Sequence, residues 1–261
     1  MKTFKYIVFL ILPLLIISCN EIIEYSPFDA SSDQSDLNKF YTEDLNSLDL
    51  KENDTLTFAL FSDPHYFYDE LASAVKSINE HKNISFVAID GDITHLGLAK
   101  EYEYFWRQVH KLHYPFVTII GNHDHLSNGK KVFEKMFGPV NYSFKLGEYK
   151  FITFNSVVWE NGNTSPDFDW LNNEISTSDE KCVVLSHIPP WTDQFTKEYT
   201  DKYYSIMATP KVIASIHGHQ HHYEDTIINA KRYFVTEAVF DHEYYIVHLV
   251  GNKMDVERIN F

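Results

Sequence analysis

The chain is predicted to fold as an α/β protein on a largely parallel sheet covered on both faces. Two observations predict it. Short apolar runs alternate with segments of helical period, as "TLTFALF", "YDELASAVKSINEH", "ISFVAID", "LAKEYEYFWRQVHKL" and "PFVTII" do in order. Strands and helices in alternation build parallel sheets. Each apolar run also stops at Asp, His or Asn: "SDPH", "DGD" and "GNHD". Ligands of such sheets sit outside the carboxyl ends of the strands, so these polar groups share one edge.

The first helix has Leu71, Val75 and Ile78 on one face;. After "GKKVFEKMFG" the style changes. "NYSFKLG" and "YKFITFNSVV" read as antiparallel strands around Gly147, and "DFDWLNNEIS" as a helix. "KCVVLSHIPP" and "KVIASIHGHQHH" repeat the pattern of a strand followed by histidine. "DTIINAKRYFVTEAV" and "YYIVHLVGNKMDVERI" read as closing strands, the second with a hairpin turn at Gly251-Asn252;.

The chain has 261 residues, enough for one large domain;. A 44% apolar content suits a globular core, and 17 Tyr with 20 Phe predict aromatic packing layers or an aromatic-lined cleft;. A formal charge of −15 argues against nucleic acid polymers as partners, because phosphate backbones are bound by Lys and Arg;. A small phosphorylated substrate stays compatible, since bound cations reverse a local field.

Residues 1–18 read as a signal peptide. Lys2 and Lys5 precede an apolar run from Tyr6 to Ile17 that is too short to span a bilayer;. Ile16-Ile17-Ser18-Cys19 resembles the lipobox of bacterial lipoproteins. That resemblance implies cleavage before Cys19, a lipidated Cys19 at the membrane, and an extracytoplasmic location in a bacterial cell envelope. Residues 19–54 read as an acidic tether, with "EIIEYSPF" apolar enough to dock, and residues 55–261 as the domain;. Cys182, in an apolar run, is expected to be a buried free thiol;.

The strand ends carry Asp63 and His65, then Asp92, then Asn122, His123 and Asp124, then His187, then His217 and His219. Oxygen and imidazole ligands of this mix suit Fe, Mn, Zn or Ni better than Ca²⁺ or Mg²⁺. There are too many for one tetrahedral ion, and a pair sharing a carboxylate fits the count. In extended backbone the i, i+2 pairs Asp63/His65 and His217/His219 each face one way.

"SDPH", "GDITH", "GNHD", "SHIPP" and "HGHQH", in this order, resemble the calcineurin-like metallophosphoesterase signature, D-x-H, G-D, G-N-H-D/E, H, G-H-x-H. The resemblance covers about residues 58–222. It implies a four-layer α/β/β/α sandwich, two mixed β-sheets flanked by helices, of the metallo-dependent phosphatase kind. It implies two transition-metal ions, one bound by Asp63, His65, Asp92 and His219, the other by Asp92, Asn122, His187 and His217. It makes His123 a catalytic group facing the phosphate and Asp124 its orienting partner. The implied activity is phosphoester hydrolysis by a dinuclear centre with a bridging hydroxide as nucleophile. "NYSFKLG…FITFNS" resembles the cyclic-nucleotide and glycerophosphodiester branch, which favours phosphodiesters over phosphomonoesters. Alternatives are a pyrophosphatase of nucleotide or lipid-linked diphosphates and a non-enzymatic scaffold. His95 stands where the related purple acid phosphatases carry a metal-binding Tyr, which argues against that subfamily. His221 and His222 read as solvated.

Overall fold

The apolar runs form strands whose side chains alternate between two apolar surroundings. In β1 (Leu56–Phe61), Phe58 and Leu60 face one core, and Ala59 and Phe61 another;. β2 (Phe86–Asp90) repeats this, with Phe86 and Ala88 opposed to Val87 and Ile89. The computed structural model describes residues 26, 29–46, 48, 50, 51 and 54–261. The signal peptide, Cys19 and most of "EIIEYSPF" lie outside them. Among the described residues no helix is long and apolar enough to cross a membrane.

Two mixed sheets result. The first has the order β11-β10-β1-β2-β3, with β3 (Phe116–Ile119) parallel to β2, and β10 (Glu243–Val250) and β11 (Lys253–Asn260) antiparallel at the far edge. The second has the order β4-β5-β6-β7-β9-β8. Its β5 (Tyr149–Thr153), β6 (Lys181–Leu185), β7 (Val212–His217) and β9 (Lys231–Val235) are parallel. β4 (Tyr142–Leu146) and β8 (Glu224–Ile228) are antiparallel edges. The β4–β5 hairpin turns at Gly147, and β10–β11 at Gly251-Asn252, as the sequence predicts.

Aromatic side chains fill the space between the sheets. Phe58 and Phe86 stack at 4.9 Å in the first sheet, Phe144 and Phe151 at 5.1 Å in the second, and Phe86 meets Phe151 edge-on at 5.1 Å;. Outside the first sheet lie α2 (Tyr68–Glu80), α3 (Ala99–Val109) and α4 (Gly129–Met136). Outside the second lie α5 (Phe168–Ser176) and α6 (Lys197–Met207). This is the α/β/β/α order of layers expected.

Two elements depart from the sequence reading. The acidic segment before the domain contains α1 (Leu37–Leu45), docked through buried Leu37, Asn38 and Leu45. The Asn38 side chain donates to the Thr118 carbonyl and accepts from the Thr118 amide and hydroxyl, so it caps the open edge at β3;. α6 shows no clear helical period in the sequence because its buried residues, Tyr203, Ile206 and Met207, crowd its last turns. Its local signals are the Thr196 cap, which accepts from the Tyr199 amide, and Glu198 in the first turn;. Cys182 is a buried free thiol, as expected.

Candidate metal centre

The carboxyl ends of both sheets supply the cluster. Asp63 and His65 follow β1, Asp92 follows β2, Asn122 follows β3, His187 follows β6, and His219 and His221 follow β7. The backbone does not run extended through them. Asp63, His65, Asp92, His219 and His221 all have φ between 44° and 70°. Left-handed backbone costs a non-glycine residue about 1–2 kcal/mol, and such strain collects at functional sites. Bent loops, rather than an extended i, i+2 register, bring the side chains together.

Gly91 and Gly121 permit the close approach. A Cβ on Gly91, at φ 85°, would stand 2.4 Å from the His187 ring, and one on Gly121 would stand 2.2 Å from Asp92;.

Two ligand groups that include a carboxylate form. Asp63, His65 and His221 make one, and Asp92, His187 and His219 the other. His65 Nε2 is 3.9 Å from Asp63 Oδ1 and 3.8 Å from Asp92 Oδ2. His187 Nε2 is 3.2 Å from Asp92 Oδ2 and 3.7 Å from Asp63 Oδ1, and His221 Nε2 is 3.0 Å from Asp63 Oδ1. Most of these separations are too long for hydrogen bonds. They match donors arranged around a shared cation, each about 2.0–2.2 Å from it. Asn122 Oδ1 lies 2.9 Å from His219 Nδ1. The donor set therefore fits transition-metal ions.

His217 is not in the cluster. Its Nδ1 donates to the Ser186 carbonyl at 2.5 Å, and its Nε2 lies 2.9 Å from the Ser215 hydroxyl, inside the core. Its place is taken by His221. The G-H-x-H pattern starts at Gly218, which makes His219 and His221 its histidines; counting from His217 displaced the pair by two residues.

Asp124 does not orient His123 either. Its carboxylate accepts from the Gly121, Ile93 and Thr94 amides and the Thr94 hydroxyl, which ties the turn after β3 to the loop after β2. Burial, then the Asp92 charge, push that carboxyl up to about 7 against the pull of these donors;. His123 Nδ1 is held by the His95 carbonyl at 2.7 Å instead, and its backbone N–H donates to Asp92 Oδ1 at 2.8 Å.

A residue the sequence did not suggest is Glu160. It accepts from Asn122 Nδ2 and from Gln194 Nε2, each at 3.2 Å, so the Asn122 amide presents its oxygen to His219;. Glu160 lies on an irregular loop and carries no motif that could have signalled it.

Burial opposes ionisation of Asp63 and Asp92, but His187 above all holds both carboxyls below their usual range. Burial lowers His65, and it lowers His219 to about 4. Against its own burial, His187 is pushed well up by Asp92 and then Asp63. Against its burial, His221 is likewise raised by its hydrogen bond to Asp63. Ionised carboxylates beside neutral imidazoles are the state a cation requires, so His187 and His221 must each give up a proton to it.

Comparison with known proteins sharpens this geometry. The family model for calcineurin-like phosphoesterases matches residues 56–223. The chain belongs to the calcineurin-like phosphoesterase family. A relative described as a probable cyclic nucleotide phosphodiesterase, from Vesicomyosocius okutanii subsp. Calyptogena okutanii (strain HA), is 26% identical over 153 residues. That match covers 54% of this chain and 64% of the relative's length. A dimetal phosphatase from Danio rerio superposes with a TM-score of 0.59 at 14% identity, over 79% of this chain and 99% of that one. A purple acid phosphatase from yellow lupin (Lupinus luteus) superposes at 0.64 and 13%, over 80% and 52%. These two likenesses establish the fold that the calcineurin-like phosphoesterase motifs implied.

The placement of His217 and His221 has a measurable consequence. His221→Ala is expected to weaken metal binding by about 10–100-fold or more, since even indirect partners of a metal are worth that much. His217→Ala is expected to keep the metal content and lose thermal stability, because it removes a buried, twice hydrogen-bonded ring;. Metal analysis and thermal unfolding of both variants check this; metal loss in His217→Ala alone would reverse the assignment.

Proposed function

We propose that the chain hydrolyses phosphoester bonds at a dinuclear metal centre. Asp63, His65, Asp92 and His221 would hold one ion. Asp92, Asn122, His187 and His219 would hold the other. The observation that carries this reading is the place of Asp92 Oδ2, 3.2 Å from His187 Nε2 and 3.8 Å from His65 Nε2, between the two donor sets.

When bound, such a pair of ions supplies Lewis acidity that lowers the pKa of water and offsets charge at phosphorus. The residues do the rest. Asp92 is fixed by the His123 amide, so the shared carboxylate keeps one orientation. Asn122 adds a neutral oxygen donor to a centre that already holds two carboxylates, and Glu160 holds its amide in place. His123, anchored through Nδ1, leaves Nε2 for a phosphoryl or leaving-group oxygen;. A formal charge of −15 repels anions at long range, so the attraction for phosphate arises locally;.

The substrate class is a small phosphodiester or phosphomonoester. The name of the Vesicomyosocius okutanii relative supports the diester, as does the β4–β5 segment. Half-exposed Tyr66 and Trp159 stand beside His65 and Glu160 in the chain and offer an apolar flank, which favours diphosphates as a second reading. Hydrolysis rates across monoesters, diesters and pyrophosphates, after reconstitution with Mn, Fe, Zn or Ni, test both. A preference for bis-aryl over aryl phosphate is expected; no turnover with any metal would refute the function. The sequence of residues 1–19 supports an envelope enzyme, extracytoplasmic and anchored through Cys19, and a membrane-bound Cys19→Ala variant would contradict that anchor.

A further inference from the structure

A third imidazole meets His65 and His123 at the edge of the metal centre. One ring nitrogen each of His65, His95 and His123 lies within 4.8 Å of the other two. His65 turns its Nε2 toward Asp63 and Asp92. That leaves His95 and His123 as a pair with no carboxylate in their group. Their rings stack at 5.2 Å and 26°, and the hydrogen bond from His123 to the His95 carbonyl sets their spacing.

His95 has no structural task for its ring polarity. Its Nδ1 is buried with no hydrogen-bond partner among the described residues. A buried polar atom without a partner costs about 1–3 kcal/mol and calls for an occupant. The ring is not core filling. It packs edge-on against the half-exposed Tyr66 at 4.6 Å, and the next residue, Leu96, is exposed. Its ring joins His65 and His123 but neither of the two groups that contain Asp63 or Asp92.

We propose that His95 is a second substrate-facing imidazole, donating a hydrogen bond to a phosphoryl or leaving-group oxygen beside His123. The inference rests on the phosphoesterase reading above. Charge in a phosphoryl-transfer transition state spreads over three equatorial oxygens as well as the leaving oxygen. A ring N–H of His95 adds a donor beside the Nε2 that His123 leaves for such a group, and donors placed where charge develops contribute most. His95 would thus add a donor that none of the metal ligands supplies.

Two substitutions separate this role from packing. His95→Phe keeps a flat ring against His123 and Tyr66 but removes the donor. His95→Asn removes the ring and keeps an amide N–H near the position of Nδ1. Each variant is to be metal-loaded, assayed for metal content, titrated with inorganic phosphate by calorimetry, and assayed with bis-aryl phosphate. His95→Phe is expected to keep two ions, to bind phosphate about 10-fold more weakly, and to lose about 10²-fold in kcat, the loss expected for one transition-state donor. His95→Asn is expected to recover most of both losses. The proposal is overturned if His95→Phe binds phosphate like the wild type, if it loses metal, or if His95→Asn is as impaired as His95→Phe. A wild type that binds phosphate but turns over no ester refutes the phosphoesterase reading instead, and the phosphate titration still reports on His95.

Discussion

Asp92→Asn is expected to lower phosphodiester hydrolysis by about 10³-fold or more and to reduce bound metal below two ions per chain. Asp92 is engaged through both of its oxygens. One oxygen of Asp92 faces His65 and His187, and the other accepts the His123 amide. The amide substitution keeps the volume and removes the charge that both cations would share. A neutral oxygen bridges two cations poorly, and electrostatic groups of this kind commonly contribute about 10²–10³-fold each. The residue is buried and surrounded by imidazoles, so water cannot replace its charge. Steady-state kinetics and metal analysis on the same sample check both halves. Full metal content with full activity would refute the shared site.

His123→Ala is expected to separate chemistry from binding. The variant keeps the backbone N–H that fixes Asp92, so both ions should remain. It loses the ring that hangs from the His95 carbonyl above the centre. A fall in kcat of about 10²–10⁴-fold is expected, larger for alkyl than for aryl leaving groups, because a positioned proton donor matters most where the leaving oxygen is basic. Equal losses for both leaving groups would restrict His123 to binding the phosphoryl oxygens.

The layered fold was legible because its signals are local and repeated. Each parallel strand is a short apolar run, and each polar cluster sits just past one. Asp63, His65, Asp92, Asn122 and His187 meet in space because the sheets bring those ends together. What the sequence concealed has physical causes. His217 and His221 both lie two residues from His219, and spacing alone does not say which of them turns into the core. The Ser215 hydroxyl, two residues away, and the Ser186 carbonyl, 31 residues away, settle His217 there, and the second contact forms only when β6 and β7 pair. Asp124 follows His123 directly and invited a pairing. Its four donors come instead from Gly121, Ile93 and Thr94, contacts made only when two loops pack. Glu160 and His95 act through contacts of 38 and 28 residues' separation, beyond any periodicity.

The most direct test of the dinuclear centre is anomalous X-ray diffraction from crystals of the reconstituted chain, measured at the absorption edge of the metal supplied. Two peaks about 3.5–4 Å apart are expected on either side of Asp92, one against Asp63, His65 and His221, the other against Asn122, His187 and His219. A single peak, or peaks away from Asp92, would contradict it.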